Sequence, residues 1–342
     1  GGAADAGGGD ARSTGLGMTP AGTAGIPALT ELSPRISAAL DAFLSGRERA
    51  LCQTREELGP LVDELRAVLG SGGKRVRPWL CCWGHLAAGG SLGAPIVAAA
   101  AALELVHTFA LIQDDVMDQS ALRRGRPTTH TTLGVPVALL VSDLALIWAD
   151  QLLIEGGFAP QHLAAGFTYF NTLRTEIALG QYLDIGAWPD EARALEVNRL
   201  KTASYTVLRP IQLGMALAGA GPPQLQAVPA YAEAAGVAFQ LRDDVLGAFG
   251  DEETTGKPGG DDLLRGKPTW LWARALRLGG APPEGVGPRR EWIKRSGAAA
   301  DCEALIRVLE ARALGAVDGL TEDAALREQL VSITHAFVDR EA

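Results

Sequence analysis

The sequence lacks the features of several protein classes. Its four cysteines show neither metal-ligand spacing nor a disulfide framework, which favours a reducing cytoplasm. Basic residues are too few for a surface that follows nucleic-acid phosphates, because the net charge is -9. The N-terminal region has no basic and apolar segments like those of a secretory signal peptide. We therefore expect a cytoplasmic protein without a nucleic-acid partner.

Strand signals are scarce as well. Runs of alternating β-branched residues are missing, whereas Ala, Leu, Glu and Arg recur at three- and four-residue spacing almost throughout. This pattern predicts an all-α protein, with breaks at glycine- and proline-containing turns. The predicted helices cover residues 34–54, 56–69, 76–89, 94–118, 137–155, 161–186, 190–218, 229–249, 261–278, 289–316 and 321–340.

The chain divides into one short and one long region. Residues 1–27 contain hardly any large apolar side chain, so burial cannot offset the entropy of ordering them, and we expect disorder. No linker or internal repeat divides the remainder. Residues 28–342 are therefore expected to form a single helical domain.

Two apolar stretches, 94–112 and 135–154, have the length of membrane spans. The first contains Glu104 and His107, and the second contains two aspartates, all of which are costly in hydrocarbon. Helices buried in a large helical protein explain both stretches better. We expect no stable membrane insertion.

An acidic cluster of Asp114, Asp115 and Asp118 follows the first apolar stretch. On a helix, residues four apart lie about 40° apart around the axis and about 6 Å along it, so Asp114 and Asp118 share a face. Carboxylates that close repel unless a cation lies between them, and hard oxygen ligands suit magnesium. A solvated acidic helix end is the alternative, but the position after a long apolar run favours a metal site.

A second polar cluster, again after an apolar run, contains Gln240, Arg242, Asp243, Asp244 and Asp251. Alone it would be weak evidence. Two acidic clusters at the polar ends of buried helices, however, can face each other across a bundle cavity and hold several metal ions.

Basic residues lie near both clusters. A loop of Gly72 and Gly73 leads into Lys74, Arg75 and Arg77, and glycines let the backbone approach an anion closely. An ordinary turn between helices explains that loop equally well when it is taken alone. Further cations follow each acidic cluster, namely Arg123, Arg124, Arg126, Lys257 and Lys267. In an acidic protein this arrangement predicts an anion held jointly by metal and protein, and diphosphate fits well.

In order and spacing, these segments resemble the trans-isoprenyl diphosphate synthases, the family of geranylgeranyl and farnesyl diphosphate synthases, over roughly residues 70 to 270. The matching positions are the loop 72–77, Asp114 to Asp118, Arg123 and Arg124, Gln181 and Asp184, Lys201 and Thr202, and Phe239 and Gln240. The second acidic motif departs from the family, because Gly247 stands where an aspartate is common. That difference leaves the role of Asp251 open.

The resemblance implies the family's isoprenoid synthase fold, an all-α bundle with a central active-site cavity, and condensation of isopentenyl diphosphate with an allylic diphosphate. It implies that Asp114, Asp118 and Asp243 hold Mg²⁺, with Asp115 and Asp244 as further catalytic acids. It also implies a homodimer.

The resemblance assigns the remaining site residues to the two substrates. Arg123, Lys201 and Lys257 would add charge to the allylic diphosphate, and the oxygens of Thr202 and Gln240 would stabilise the allylic cation. The residues expected to bind isopentenyl diphosphate are Lys74, Arg77, His107 and Arg124. Gln181 and Lys267 complete the expected substrate-binding set.

Two of these assignments have structural alternatives. His107 is also explained as a core histidine with satisfied hydrogen bonds, although the resemblance favours a functional role. Gln181 and Asp184 are also explained as the cap of a buried polar network.

The helix of the first cluster also carries a hypothesis about product length. A prenyl tail running from Asp114 toward the helix N-terminus meets the small residues Ala110 and Val106. Phe109, about 7.5 Å back along the axis, is the first bulky side chain that can form a channel floor. In the family, an aromatic residue here goes with geranylgeranyl diphosphate as product. The alternatives are a Phe109 that only packs in the core, and a farnesyl or longer product.

Two rival functions remain. A class I terpene cyclase shares an ionising acidic cluster on a helical fold, but it needs no second diphosphate site at Lys74 and Arg77. Gly247 also occupies the position where a cyclase usually has a hydroxyl residue. A non-catalytic partner subunit would be expected to have lost the aspartates, which are intact here.

Overall fold

The computed structural model describes residues 29–186, 190–250, 263 and 266–339. Residues 1–27, predicted to be disordered, lie outside the described residues, and so do Asp251 and Lys257.

Helices dominate the described part of the chain, which confirms the all-α prediction. The α-helices are α1 (Leu29–Thr54), α2 (Gly59–Gly70), α3 (Val76–Ala87), α4 (Ala94–Met117), α5 (Thr129–Leu133), α6 (Val135–Ile154), α7 (Pro160–Ile185), α8 (Glu191–Asn198), α9 (Arg209–Leu217), α10 (Pro222–Phe249), α11 (Trp270–Gly279), α12 (Val286–Ser296), α13 (Ala298–Ala316) and α14 (Ala324–Val338). A π-helix, Arg199–Leu208, joins α8 to α9, and 3₁₀ turns span Glu56–Leu58 and Val317–Gly319.

The chain also contains a very short antiparallel hairpin that the sequence pattern did not predict. Its strands are β1 (Leu122–Arg123) and β2 (Arg126–Pro127), and Leu122 lies opposite Pro127. Arg124 and Gly125 form the turn, and both have positive φ, 52° and 72°. The hairpin follows α4 directly and holds two of the predicted site arginines.

Several helix ends differ from the prediction for identifiable reasons. The predicted helix 289–316 is interrupted at Gly297, whose φ of 87° ends α12 in the left-handed conformation. Helix α10 begins at Pro222 instead of residue 229, because proline is compatible with the first turn of a helix. Helix α11 begins at Trp270, where the Thr269 side chain accepts a hydrogen bond from the Trp272 N–H.

The core is centred on α4 and α10. Helix α4 packs against α1, α3 and α6, and it buries the continuous apolar run 99–103 completely. Helix α10 packs against the π-helix and α13. Each acidic cluster therefore lies near the C-terminal end of a helix held inside the bundle.

Close approach of α10 to the π-helix depends on one glycine. A Cβ atom at Gly236 would lie 2.3 Å from the Ala203 Cα atom, a distance that side chains do not tolerate. This contact brings Thr202 of the π-helix beside Gln240 of the second polar cluster. A residue with a side chain at position 236 would push the two elements apart.

Within the described residues, α4 and α6 are long and apolar enough to cross a membrane by length and composition. Most of the apolar part of α4 is buried in the protein, as expected for a core helix. Less than half of the apolar part of α6 is buried. Helix α6 therefore exposes apolar surface that the described residues do not cover.

Candidate active site

A cavity of about 770 Å³ opens where α4, α7, α10 and the π-helix meet. Its wall brings together many of the predicted site residues: Arg77, His107, Phe109, Ala110, Asp114, Arg123, Gln181, Lys201, Gln240, Asp243, Asp244 and Lys267. Its size suits a substrate of a few isoprene units, since small-molecule sites commonly occupy about 300–1,000 Å³.

The first acidic cluster lies at the C-terminal end of α4. Asp114 lines the cavity, and Asp118 is the residue that ends the helix. Burial and the charge of Asp114 raise the pKa of Asp118, as expected for carboxylates on one helix face. Burial acts in the same direction on Asp114, but the charges of Lys201, Lys267 and Arg123 outweigh it and lower the pKa of Asp114.

Asp115, in contrast, is directed at the hairpin. It is buried, and one of its carboxylate oxygens accepts a hydrogen bond of 2.7 Å from Arg123 Nε. Arg123 also donates to Asp114 through Nη2 at 3.2 Å. Asp115 was predicted to be a catalytic acid. In the structure its hydrogen bond holds Arg123 beside Asp114, where the guanidinium can contact an anion that binds next to Asp114.

Lys201 links the first acidic cluster to α7. Its Nζ donates to Asp184 Oδ2 at 2.6 Å and to Asp114 Oδ1 at 3.4 Å. Asp184 therefore orients the lysine, which agrees with the polar-network interpretation of this residue. Gln181, one turn earlier on α7, lines the cavity, and its buried Nε2 has no hydrogen-bond partner within the described residues.

A chain of hydrogen bonds connects the π-helix to the second acidic cluster. The Thr202 hydroxyl donates to Gln240 Oε1 at 2.5 Å, and Gln240 Nε2 donates to Asp244 Oδ1 at 2.8 Å. Gln240, Asp243 and Asp244 all line the cavity, whereas Thr202 reaches it through Gln240. Gly247, the departure from the family motif, lies in the same wall.

The donor set fits magnesium. Asp114 from α4 and Asp243 and Asp244 from α10 line the cavity, so hard carboxylate oxygens from two helices converge on it, and Asp118 follows one turn after Asp114. The raised pKa of Asp118, caused by burial and then by Asp114, shows the repulsion that a cation at this place would relieve.

A group of basic residues lies beside another part of the cavity wall. Arg77 from α3 and His107 from α4 line the cavity. Arg124 projects from the hairpin turn, and its guanidinium would lie 3.2 Å from a Cβ atom at Gly73. Lys74, which follows Gly73 in the loop before α3, is exposed. Of the four residues predicted to bind isopentenyl diphosphate, Arg77 and His107 therefore line the cavity, whereas Arg124 approaches the loop glycine outside that lining and Lys74 is exposed.

Tyr205 was not predicted from the sequence and lies at the centre of this group. Its hydroxyl is 2.7 Å from His107 Nδ1, and the Arg77 guanidinium stacks 4.2 Å above its ring centroid. Burial lowers the pKa of His107 well below its ordinary value, helped by the charges of Arg77 and other arginines. Burial also raises the pKa of Tyr205. Both groups are therefore neutral near pH 7.

Glu104 is a second residue whose role the sequence did not reveal. It is buried, and its Oε2 is 3.8 Å from Arg75 Nε in the loop that precedes α3. Burial raises the pKa of Glu104, while the charges of Arg77, Arg75 and Arg124 oppose that rise. In the sequence, the only sign of a link between Glu104 and the site was its position one helical turn before His107, because the arginines near it come from distant segments.

The two residues proposed to set product length also face the cavity. Phe109 and Ala110 both line it, on the α4 segment that precedes Asp114. Val106 is fully buried in the core instead.

Comparison with known proteins agrees with this arrangement. The polyprenyl synthetase family matches residues 60–296. The geranylgeranyl diphosphate synthase of Methanosarcina mazei is 33% identical over 251 residues, covering 72% of this chain and 74% of that protein. The geranylfarnesyl diphosphate synthase of Aeropyrum pernix is 36% identical over 218 residues, covering 61% of this chain and 68% of that protein.

A solved structure gives the same result for the fold. The geranylgeranyl pyrophosphate synthase of Corynebacterium glutamicum, complexed with isoprenyl diphosphate and magnesium, superimposes with a TM-score of 0.87 at 33% identity. The match covers 92% of this chain and all of that one. The sequence resemblance is thus confirmed, and the chain belongs to the polyprenyl synthetase family.

Proposed function

We propose that this protein is a magnesium-dependent trans-prenyl diphosphate synthase, which condenses isopentenyl diphosphate with an allylic diphosphate. The observation that carries the proposal is that one cavity is lined by Asp114, Asp243 and Asp244 and, in a separate part, by Arg77 and the neutral His107. A diphosphate that acts as a leaving group needs metal ions to neutralise its charge, so its site needs carboxylates that bind those ions. A diphosphate that stays attached to its substrate needs only cations and hydrogen-bond donors.

The acidic part of the cavity serves the allylic substrate. Asp114, Asp118 and Asp243 would hold magnesium ions, and these would supply positive charge to the leaving diphosphate. Lys201 and Arg123 lie beside Asp114 and add to that charge. The carbon–oxygen bond breaks, and its electron pair departs with the pyrophosphate. Gln240 lines the cavity, and its amide oxygen, which accepts a hydrogen bond from Thr202, has a second lone pair that stabilises the allylic cation.

The cationic part serves isopentenyl diphosphate. Arg77, Arg124 and Lys74 bind its diphosphate, and His107 contributes a hydrogen-bond donor. When the protonated Tyr205 hydroxyl donates to Nδ1, the single proton of neutral His107 resides on Nε2, which is then free to donate to the substrate. The substrate double bond attacks the allylic cation, and the pyrophosphate released earlier accepts the departing proton.

We infer that the main product is geranylgeranyl diphosphate. Phe109 lies in the cavity wall before Asp114, where its ring limits the length of a growing tail. The names of the relatives support a product of this size, since they include geranylgeranyl and geranylfarnesyl diphosphate synthases.

We further propose a cytoplasmic homodimer. The four cysteines are free thiols, as expected in a reducing compartment. Helix α6 exposes Leu140, Ile147 and Ile154 at seven-residue spacing, each more than half exposed. Helix α7 exposes Tyr182 and other apolar residues, and the ion pair of Arg174 with Asp150 at 2.8 Å joins it to α6. A second copy of the chain would cover this surface.

The direct test is incubation of the purified protein with Mg²⁺, isopentenyl diphosphate and, in separate reactions, dimethylallyl, geranyl or farnesyl diphosphate. Chromatography of the dephosphorylated products should show an all-trans alcohol of four isoprene units. Excess chelator should abolish its formation. Asp114→Asn and Asp243→Asn should each lower kcat by about 10² or more, because charge stabilisation of a leaving group commonly has that size.

The cyclase alternative makes the opposite prediction. A cyclase would convert a single prenyl diphosphate into a cyclic hydrocarbon without isopentenyl diphosphate. That product, or full turnover of the Asp114 and Asp243 variants in the presence of chelator, would overturn the proposed function.

A further inference from the structure

Two adjacent arginines on α12, Arg289 and Arg290, hold backbone carbonyls on the two sides of residues 251–262, which lie outside the described part of the chain. We propose that this pair positions the allylic diphosphate site: Arg290 holds the end of the helix with the second acidic cluster, and Arg289 holds the turn before Lys267. The proposal rests on the proposed function, and neither arginine contacts the substrate.

Arg290 fastens the C-terminal end of α10. Its Nε donates to the Ala248 carbonyl at 2.7 Å, and its Nη2 donates to the Gly250 carbonyl at 3.3 Å. Carbonyls in the last turn of a helix have no partner within the helix, and they form the negative end of its dipole. Asp243 and Asp244 lie just over one turn before this end. The guanidinium therefore fixes the backbone that carries both carboxylates.

Arg289 fastens the turn that precedes Lys267. Its Nη1 donates to the Leu263 carbonyl, which also accepts a hydrogen bond from the Gly266 N–H at 3.2 Å. Its Nε donates to the Pro283 carbonyl at 2.8 Å, and its guanidinium lies 5.4 Å from the Trp272 ring centroid. Gly266 has a φ of 62°, so the chain turns sharply before Lys267 enters the cavity wall.

Arg289 and Arg290 both act on the region around Asp244 and Lys267. Asp244, Leu263 and Lys267 line a small cavity together with Ile293, which lies one turn after Arg289 on α12. Ile293 is fully buried, so α12 is anchored in the core. Because both arginines extend from a fixed helix to backbone carbonyls, they set the distance between the second acidic cluster and the Lys267 ammonium group.

The experiment measures binding as well as turnover. Calorimetry with Mg²⁺ and geranyl thiolodiphosphate, an analogue that ionises very slowly, gives the dissociation constant of the allylic site. Arg289→Ala and Arg290→Ala should each raise this constant roughly tenfold, the size expected when charge-assisted hydrogen bonds are lost. The KM for isopentenyl diphosphate should stay within about twofold, because that site lies elsewhere in the cavity. Arg295→Ala on the exposed side of α12 is the matched control and should change neither value.

A double-mutant cycle separates positioning from general destabilisation. If Arg289 acts through Lys267, Arg289→Ala should weaken analogue binding in the wild-type background but add almost nothing in a Lys267→Ala background. Arg289→Lys and Arg290→Lys should restore part of the affinity, because an ammonium group still donates to a carbonyl. Additive effects in the cycle, or equal weakening of the binding of both substrates, would overturn the proposal. Failure of the wild-type protein to bind the analogue with Mg²⁺ would instead refute the proposed function.

Discussion

At the scale of single residues, Tyr205 gives the clearest test of the isopentenyl diphosphate site. Tyr205→Phe keeps the ring beneath Arg77 but removes the hydroxyl bonded to His107. Loss of one hydrogen bond costs about 0.5–1.5 kcal/mol. The KM for isopentenyl diphosphate should therefore rise by up to about tenfold, while the KM for the allylic diphosphate stays the same. Steady-state kinetics with each substrate varied in turn measures both.

Tyr231 provides the matched control for this substitution. It is also a buried tyrosine, its hydroxyl lies 2.9 Å from Thr334 Oγ1, and it does not line the cavity. Tyr231→Phe should lower thermal stability to about the same degree as Tyr205→Phe, without changing the KM for either substrate. An unchanged KM for isopentenyl diphosphate in Tyr205→Phe would show that the hydroxyl does not orient His107.

The same residue shows where sequence reasoning ends. Tyr205 lies one helical turn after Lys201, so a shared face could have been inferred from the spacing. Its function depends on Arg77 and His107, which come from α3 and α4, and no local pattern brings those helices together. The acidic residues were predictable because each cluster interrupts an apolar run, whereas Tyr205 reads as an ordinary apolar core residue.

At the scale of elements, the crossing of α10 and the π-helix controls the geometry of the catalytic wall. A Cβ atom at position 236 would meet the Ala203 backbone at 2.3 Å, and backbone atoms move less readily than a flexible side chain. Gly236→Ala should destabilise the fold by about 1–3 kcal/mol, as overpacking does. It should also lower kcat, because Thr202 would move away from Gln240. Denaturant unfolding and turnover measure the two effects.

Gly46→Ala is the corresponding control in α1. A Cβ atom there would meet no atom within 4 Å. Alanine is favoured over glycine in a helix by up to about 1 kcal/mol, so this variant should be at least as stable as the wild type. If Gly236→Ala behaves in the same way, the close crossing does not constrain the site.

Helix α4 carries the prediction about product length. Phe109→Ala removes the ring from the cavity wall, so chains should grow beyond four isoprene units. Ala110→Phe places a ring one residue nearer to Asp114, so elongation should stop at farnesyl diphosphate. Chromatography of the dephosphorylated products measures both shifts. An unchanged distribution in both variants would place the floor of the cavity on another helix and leave the condensation chemistry intact.

Secondary structure was predicted correctly where an apolar pattern extended over many residues. It was missed where the conformation of a few residues decided the element. Helix α4 was predicted to within a residue because its apolar run is long. The hairpin of β1 and β2 was missed, since it depends on the positive φ of Arg124, which a non-glycine residue seldom adopts. The π-helix was also missed, because its side chains follow the same apolar pattern as an α-helix.

At the scale of the whole molecule, the exposed apolar surface of α6 and α7 predicts self-association. Ile147 is 51% exposed in the middle of the α6 stripe formed by Leu140, Ile147 and Ile154. Ile147→Glu would place two charges close to the two-fold axis of a symmetric dimer, where they would be desolvated and repel each other. Sedimentation velocity should show a dimer for the wild type and mainly monomer for this variant at micromolar concentration.

Val308→Glu is the control for this experiment, because Val308 is 55% exposed on α13 and lies on a different element from the stripe. It introduces the same kind of charge at a similarly exposed apolar position, so the dimer should persist. The rim of the cavity includes Tyr182 and Ile185, which belong to the exposed face of α7. Dissociation of the Ile147→Glu variant should therefore also lower kcat, as the covering subunit is lost from the cavity rim. A wild-type protein that sediments as a monomer, or an Ile147→Glu variant that remains dimeric, would rule out this surface as the dimer interface.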